Sequence, residues 1–339
     1  MTPFTWGKWT VRNCPPLFSE GLQPGWRMCT PGIMTGFLES GKTQFLRYTL
    51  GQEYFEIDGN TVLILCEEGE EEYGEDLLKR SRTTLLTVDD PEDITLEWLE
   101  EVEQKYKPER VIFECNGMYP VSKMEALEVP KGWGLVQKLT MVDASTFGTY
   151  IANMKPLFMD MVRNAELVMF NRCTKDMPLA SYRRSVKVVN QSAQIIFEDE
   201  EGEIDNIFED SMPYDLDAPV VQIDDMDYGI WYVDMMDHPE RYLNKTVEYK
   251  AKVLKPRGFG AKEFVAGRMA MTCCADDTTF LGYICRSAYA PKLSPGQWVK
   301  VKGTVGYEYT KAYRRKGPVI KAEFVEASEA PEDEMVYFN

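Results

Sequence analysis

Gly36-Phe37-Leu38-Glu39-Ser40-Gly41-Lys42-Thr43 spells a complete G-x-x-x-x-G-K-T, and this stretch decides how the surrounding chain is read. Such a loop cradles phosphate: the glycines let the backbone turn tightly, so that consecutive N–H groups face a phosphoryl group. Lys42 would reach the β- and γ-oxygens, Thr43 would hold magnesium, and a helix from about Thr43 to Gly51 would add its positive end. Gly36, Glu39, Ser40, Gly41, Lys42, Thr43 and Gln44 are therefore the expected nucleotide-binding residues of the loop.

The loop sits among short apolar runs and longer helical stretches. TVLILC (61–66), ERVIFEC (109–115), GLVQKLTMVD (134–143), ELVMFN (166–171) and SVKVVN (185–190) read as strands. Between them Leu96, Leu99 and Val102 recur at helical spacing within 94–107. Strands alternating with helices predict an α/β unit, a P-loop NTPase fold with a mostly parallel sheet covered on both faces.

Residues 198–217 (EDEEGEIDNIFEDSMPYDLD) carry ten acids and no Lys or Arg, the composition of a solvated hairpin and linker. After a helix expected over 232–243 come five strand candidates at hairpin-like intervals, 246–255, 263–274, 279–287, 298–309 and 317–326. They fit a small β-rich domain, an OB-like barrel. The expected organisation is an N-terminal extension (1–28), a nucleotide-binding domain (29–197), the acidic hairpin and linker (198–217) and a β-barrel-like domain (218–339).

Composition narrows the function classes. The 339 residues include 38 Lys and Arg against 55 Asp and Glu, a formal charge of −17, which repels nucleic acid and anionic membrane. No apolar run approaches the ~20 residues of a bilayer span, so no direct membrane insertion is expected. Eight cysteines without a disulfide spacing point to free thiols and a cytoplasmic setting. The single histidine, His238, stands before Pro239 in MMDHPERY and reads as a surface residue.

GFLESGKT also resembles the Walker A of the CobW-like branch of the P-loop GTPases. Further landmarks follow in order. Cys66-Glu67-Glu68-Gly69 sits where that family has Asn-Glu-Phe-Gly, and Glu114-Cys115-Asn116-Gly117 fits its ExxG, with Pro120 after it. Val142-Asp143-Ala144 matches its fourth strand, and Asn190 with Ala193 resembles its late Asn-Pro-x-Ala. The resemblance covers residues 29–198 and implies a nucleotide hydrolase, usually for GTP, associated with metal insertion or homeostasis. Asn171 and Asn190 enter the nucleotide site on this ground, and a metal-client protein is an implied partner.

The chain departs from that family twice. Its CxCC metal motif is missing, since residues 73–108 hold no cysteine, and its guanine-reading NKxD is Asn171-Arg172-Cys173-Thr174. Thr174 has one hydroxyl and no charge, so it cannot replace the Asp that accepts two hydrogen bonds from guanine. GTP stays the family default and ATP stays open; Asp176 would restore the contact only in a reshaped loop. The C-terminal part resembles the soluble domain of YcgQ-like proteins through Gly267-Arg268, Met271 to Asp277, Trp298-Val299 and Gly317-Pro318. Such proteins often accompany CobW-like GTPases and permeases, so the resemblance makes a permease component a further implied partner.

Glu114 and Glu67 are the catalytic acids expected beside Lys42, both at the carboxyl edge where open α/β sheets place ligands; the bland alternative is a pair of solvated carboxylates. The acids between Glu67 and Glu72 read as a solvated loop or a cation-collecting one. Cys66 and Cys115 end strands that are neighbours in CobW-like sheets, and with Glu67 they offer two thiolates and a carboxylate for zinc, against simple core packing. Cys273 and Cys274 are the alternative zinc ligands. Adjacent on one strand, they face opposite ways unless a bulge intervenes, and Cys285 on the next strand would join them only in the right register. Three readings follow: a hydrolase coupled to metal handling or a partner, a nucleotide-gated binding module with little turnover, and a phosphotransferase, for which no acceptor-binding signature is present.

Overall fold

The structure is a computed structural model, and it describes residues 29–67, 69, 71–134, 137–204, 212–271 and 278–336. The expected extension 1–28, Cys273 and Cys274 lie outside the described residues. The chain forms two compact units, one of residues 1–179 with 192–206, the other of residues 180–191 with 207–339.

The first unit runs β1 (Thr30–Thr35), α1 (Lys42–Leu50), β2 (Thr61–Leu65), α2 (Glu75–Arg80), β3 (Thr83–Thr87), α3 (Leu96–Tyr106), β4 (Arg110–Glu114), α4 (Val121–Glu125), β5 (Gln137–Asp143), α5 (Ala144–Arg163) and β6 (Leu167–Asn171). After α6 (Leu179–Lys187), which belongs to the second unit from Ala180 onward, β7 (Gln194–Asp199) and β8 (Gly202–Glu203) complete its sheet. The strand order is β3-β2-β4-β1-β5-β6-β7-β8, parallel throughout except for the final β7–β8 hairpin. Val62 to Ile64, Val111 to Phe113 and Val168 to Phe170 are buried at every position, as strands covered on both faces must be.

The helices show ordinary causes. Thr95 starts α3 by accepting from Trp98 N at 3.3 Å, Leu99 and Val102 face the core, and Lys107 ends the helix at φ 46°. Helix α5 kinks at Met154 (φ −131°, ψ 31°), two residues before Pro156, whose ring cannot accommodate the regular helical turn preceding it.

The second unit contains β9 (Val221–Gln222), α7 (Tyr228–Asp237), β10 (Thr246–Leu254), β11 (Glu263–Met271), β12 (Thr278–Arg286), β13 (Trp298–Thr310), β14 (Arg315–Ala327) and β15 (Met335–Val336). Its strands follow the order β15-β11-β12-β14-β13-β10-β9, and β10 also pairs with β11. The five long strands therefore close on themselves, with β12–β14 the parallel pair among them. Alternate residues of β10 and of most of β13 are buried, the period-2 pattern of a sheet with one face inward. Trp231 of α7 plugs that core, with the rings of Tyr249 and Tyr283 at 4.6 and 5.1 Å between centroids. Trp231→Ala should destabilise this unit by about 3–5 kcal/mol, read as an earlier denaturant midpoint by circular dichroism; an unchanged midpoint would deny it that role.

Two sequence expectations need correction. SVKVVN is not a strand: α6 runs to Lys187 and a turn follows. Its β-branched residues suit a strand, but Val188 is used in the second unit's core, and packing outweighs intrinsic propensity. The helix expected over 232–243 instead spans 228–237 and stops at His238 (φ −126°, ψ 58°), because a residue before proline avoids the helical region. His238 is half-buried there, with Nδ1 3.3 Å from Glu240. The described ends of the acidic segment are also built into the units. Glu198 and Asp199 belong to β7, Tyr214 is buried with its hydroxyl 2.7 Å from that of Tyr242, and Leu216 O accepts from Lys245 Nζ at 2.7 Å. Among the described residues no helix is long and apolar enough to cross a membrane.

Candidate functional site

Strand β1 is central, and the chain leaves its carboxyl end through the quoted loop into α1. Left-handed Glu39 (φ 59°) and Gly41 (φ 94°) lie two residues apart, an alternation that turns successive amides toward one concavity. Gly36 (φ 143°) has no room for a side chain, since a Cβ there would lie 2.3 Å from Met141 O; at Gly41 it would lie 2.6 Å from Asn171 Nδ2. Gly36→Ala is expected to disrupt the loop and weaken phosphate binding at least about ten-fold, as read by nucleotide titration. Unaltered binding would show that the tight turn is dispensable.

A cavity of about 310 Å³ opens at this edge, lined by Glu39, Gly41, Lys42, Thr43 and Gln44 of the loop and α1, by Glu67 and Glu114, and by Asp143 and Arg172 among others. Lys42, 5% exposed, donates from Nζ to Gly36 O at 2.9 Å, to Phe37 O at 3.0 Å and to Glu67 Oε2 at 3.0 Å. Thr43 Oγ1 donates to Glu114 Oε1 at 2.5 Å, and Tyr73 donates its hydroxyl to the other oxygen of Glu114. Glu114 is only 1% exposed. Burial pushes its carboxyl above the usual range, against the hydrogen bonds from Thr43 and Tyr73.

The loop is braced from β6. Asn171 Nδ2 donates to Ser40 O at 2.8 Å, and Arg172, left-handed at φ 54°, donates to Glu39 O at 2.9 Å and Asp143 Oδ2 at 2.5 Å. Ser40 Oγ and Asn171 Oδ1 are buried without a hydrogen-bond partner, and such atoms normally find one. Oxygen donors at Thr43 and Glu114, beside the 36–43 loop, fit magnesium, which prefers one or two protein oxygens plus phosphate and water to a closed protein cage.

The expected site residues are thus mostly brought together: Lys42, Thr43, Glu67 and Glu114 meet around one cavity, with Ser40 and Asn171 beside them. Asn190 is not among the cavity's lining residues; it follows the turn after α6, its N–H bonded to Val186 O at 2.9 Å, in the second unit. Thr174 lies outside the lining as well and donates to Asp176 Oδ1 at 2.7 Å.

Cys66 and Cys115, read from the sequence either as zinc ligands or as core residues, lie close together in the fold. Their strands are parallel neighbours, Leu65 opposite Glu114, and Cys66 N donates to Glu114 O at 3.0 Å. Yet among the described residues no three His, Cys, Asp or Glu side chains are grouped as a metal ion requires. Both thiols are buried; burial and the adjacent carboxylates push Cys66 up to about 12, and burial lifts Cys115 well above the ordinary thiol value. These surroundings favour the protonated thiol. Their burial favours the packing alternative. Sequence reasoning missed Tyr73, which no motif marks, and the pairing of Asp143 with Arg172, which stand in two separate motifs.

Comparisons with known proteins agree in outline. Residues 200–338 match the DUF1980 C-terminal domain family. UPF0703 protein YcgQ of Bacillus subtilis (strain 168) is 20% identical over 117 residues, 34% of this chain; the chain spans only 41% of that protein's length. Among solved structures, Zn(II)-bound YjiA GTPase from E. coli is 14% identical with a TM-score of 0.40, covering 87% of this chain and 89% of that one. Hydrogenase maturation factor HypB from Archaeoglobus fulgidus is 18% identical with a TM-score of 0.35, covering 51% and 81%. Residues 200–338 of the chain thus form a C-terminal region that matches the DUF1980 C-terminal domain.

Proposed function

We propose that the first unit binds a magnesium–nucleoside triphosphate at the 36–43 loop and hydrolyses it slowly, with GTP as its nucleotide and ATP as a weaker competitor. The observation that carries this reading is the convergence of the Lys42 ammonium, the Thr43 hydroxyl and the Glu114 carboxylate on one cavity at the carboxyl edge of the sheet. Lys42 would neutralise β- and γ-phosphoryl oxygens. Thr43 and Glu114 would hold magnesium, which supplies charge neutralisation at the phosphates when bound. Glu114 would orient water, and Tyr73 and Thr43 keep its two oxygens in fixed directions.

Base preference rests on Asn171, whose amide keeps one N–H beyond that given to Ser40 O. With Thr174 in place of the specifying acid, the GTP:ATP preference in initial rates of phosphate release should stay below about 10³, equivalent to ~4 kcal/mol. A larger ratio would show that another acid, Asp176 first, reads guanine. Absence of release with either nucleotide would favour the second reading, a nucleotide-gated module with little turnover that engages a partner through its barrel.

That second reading draws on the missing guanine-reading acid. The task coupled to the nucleotide, metal handling (zinc) or a client or permease partner in the cytoplasm, is carried by the sequence motifs alone. The closed order of β10 to β14 underlies our description of the second unit as OB-like and partner-binding.

A further inference from the structure

A lysine ammonium has three N–H donors and no acceptor, and at Lys42 all three are engaged. Two go to the loop's own carbonyls at Gly36 and Phe37, contacts that shape the loop. The third goes to Glu67 Oε2 at 3.0 Å. Glu67 follows the carboxyl end of β2, lines the same cavity, and has a side chain 13% exposed. Its carboxylate is an anionic oxygen acceptor on the one donor not committed to the loop. An oxygen of a terminal phosphoryl group needs that same N–H and carries the same sign of charge. The two cannot share it, and Glu114 across the cavity adds a further negative group if both are present.

We propose that Glu67 is a specificity-determining residue that holds the place of the terminal phosphoryl group on Lys42. A triphosphate enters by displacing the carboxylate, whereas a diphosphate, which lacks that group, leaves the Lys42–Glu67 pair in place. The inference rests on the phosphoryl-binding reading above and deepens it: the number of phosphates is sensed as the exchange of one anion for another on a single ammonium. It also gives the acid at position 67 an effect opposite to that of an ordinary binding residue, because its removal strengthens binding.

The test uses the full chain as wild type, Glu67→Gln and Glu67→Ala, with Lys42→Ala as a control. Each is titrated calorimetrically with GDP and with a GTP analogue bearing a non-hydrolysable β–γ bridge, both with magnesium. Glu67→Gln, which keeps the shape of the side chain, should raise affinity for the triphosphate analogue about ten-fold and that for GDP by less than about two-fold; Glu67→Ala should shift them in the same directions. Unchanged or weaker analogue binding in both Glu67 variants would overturn the proposal, as would equal gains for the two nucleotides. If wild type binds neither nucleotide and matches Lys42→Ala, the phosphoryl-binding reading itself fails, and this proposal with it.

Discussion

Lys42→Ala is expected to lower affinity for a magnesium–triphosphate by about 100-fold or more. The substitution removes a buried cation that reaches both the loop carbonyls and the cavity. Charge-assisted hydrogen bonds contribute about 1.5–3 kcal/mol each, and about 2.7 kcal/mol is already a factor of 100. Part of the loss would come from the loop itself, because Gly36 O and Phe37 O lose the lysine donor, Phe37 O keeping only Ser40 N. Glu67 would lose its partner too, leaving an uncompensated carboxylate in the cavity and adding repulsion toward phosphate. Equilibrium titration reads the loss directly, and affinity within about three-fold of wild type would place the ligand elsewhere.

The second large effect is expected at Glu114. Glu114→Gln should reduce phosphate release by about 10²-fold, the scale of a lost acid–base or water-orienting group, while binding measured without magnesium changes little. The variant should fold. The site is almost fully buried, so an amide is less costly there than a carboxylate. Thr43 and Tyr73 can also rotate their hydroxyls to suit the amide's donor and acceptor. Wild-type turnover in Glu114→Gln would remove this residue from the chemistry.

How much of this the sequence discloses depends on how local each cause is. The phosphate loop is legible because its geometry is written in adjacent residues: Gly36 and Gly41 occupy backbone positions closed to a side chain, and Lys42 and Thr43 follow at once. The central strands are legible as unbroken apolar runs, and the barrel strands through alternation, in positions close to those expected. The strand at 83–87 is not legible, for TTLLT offers only two apolar residues on a sheet edge. Helix α6 is misread because Val186, Val188 and Val189 favour strands in isolation.

At the site, Glu114 is found through its place after an apolar strand, but its partner Tyr73 lies 41 residues away with no motif to connect them. The Lys42–Glu67 pair spans 25 residues and emerges only when β1 and β2 are set on either side of β4. Cys66 and Cys115 show the opposite case: their neighbourhood is readable from strand ends, while their burial is not.

The most direct measurement of the central claim is calorimetric titration of the full wild-type chain with magnesium and a non-hydrolysable GTP analogue. The account predicts saturable binding with one nucleotide per chain, lost when Lys42 is replaced by alanine. Absence of binding, or binding of equal strength in Lys42→Ala, would contradict it.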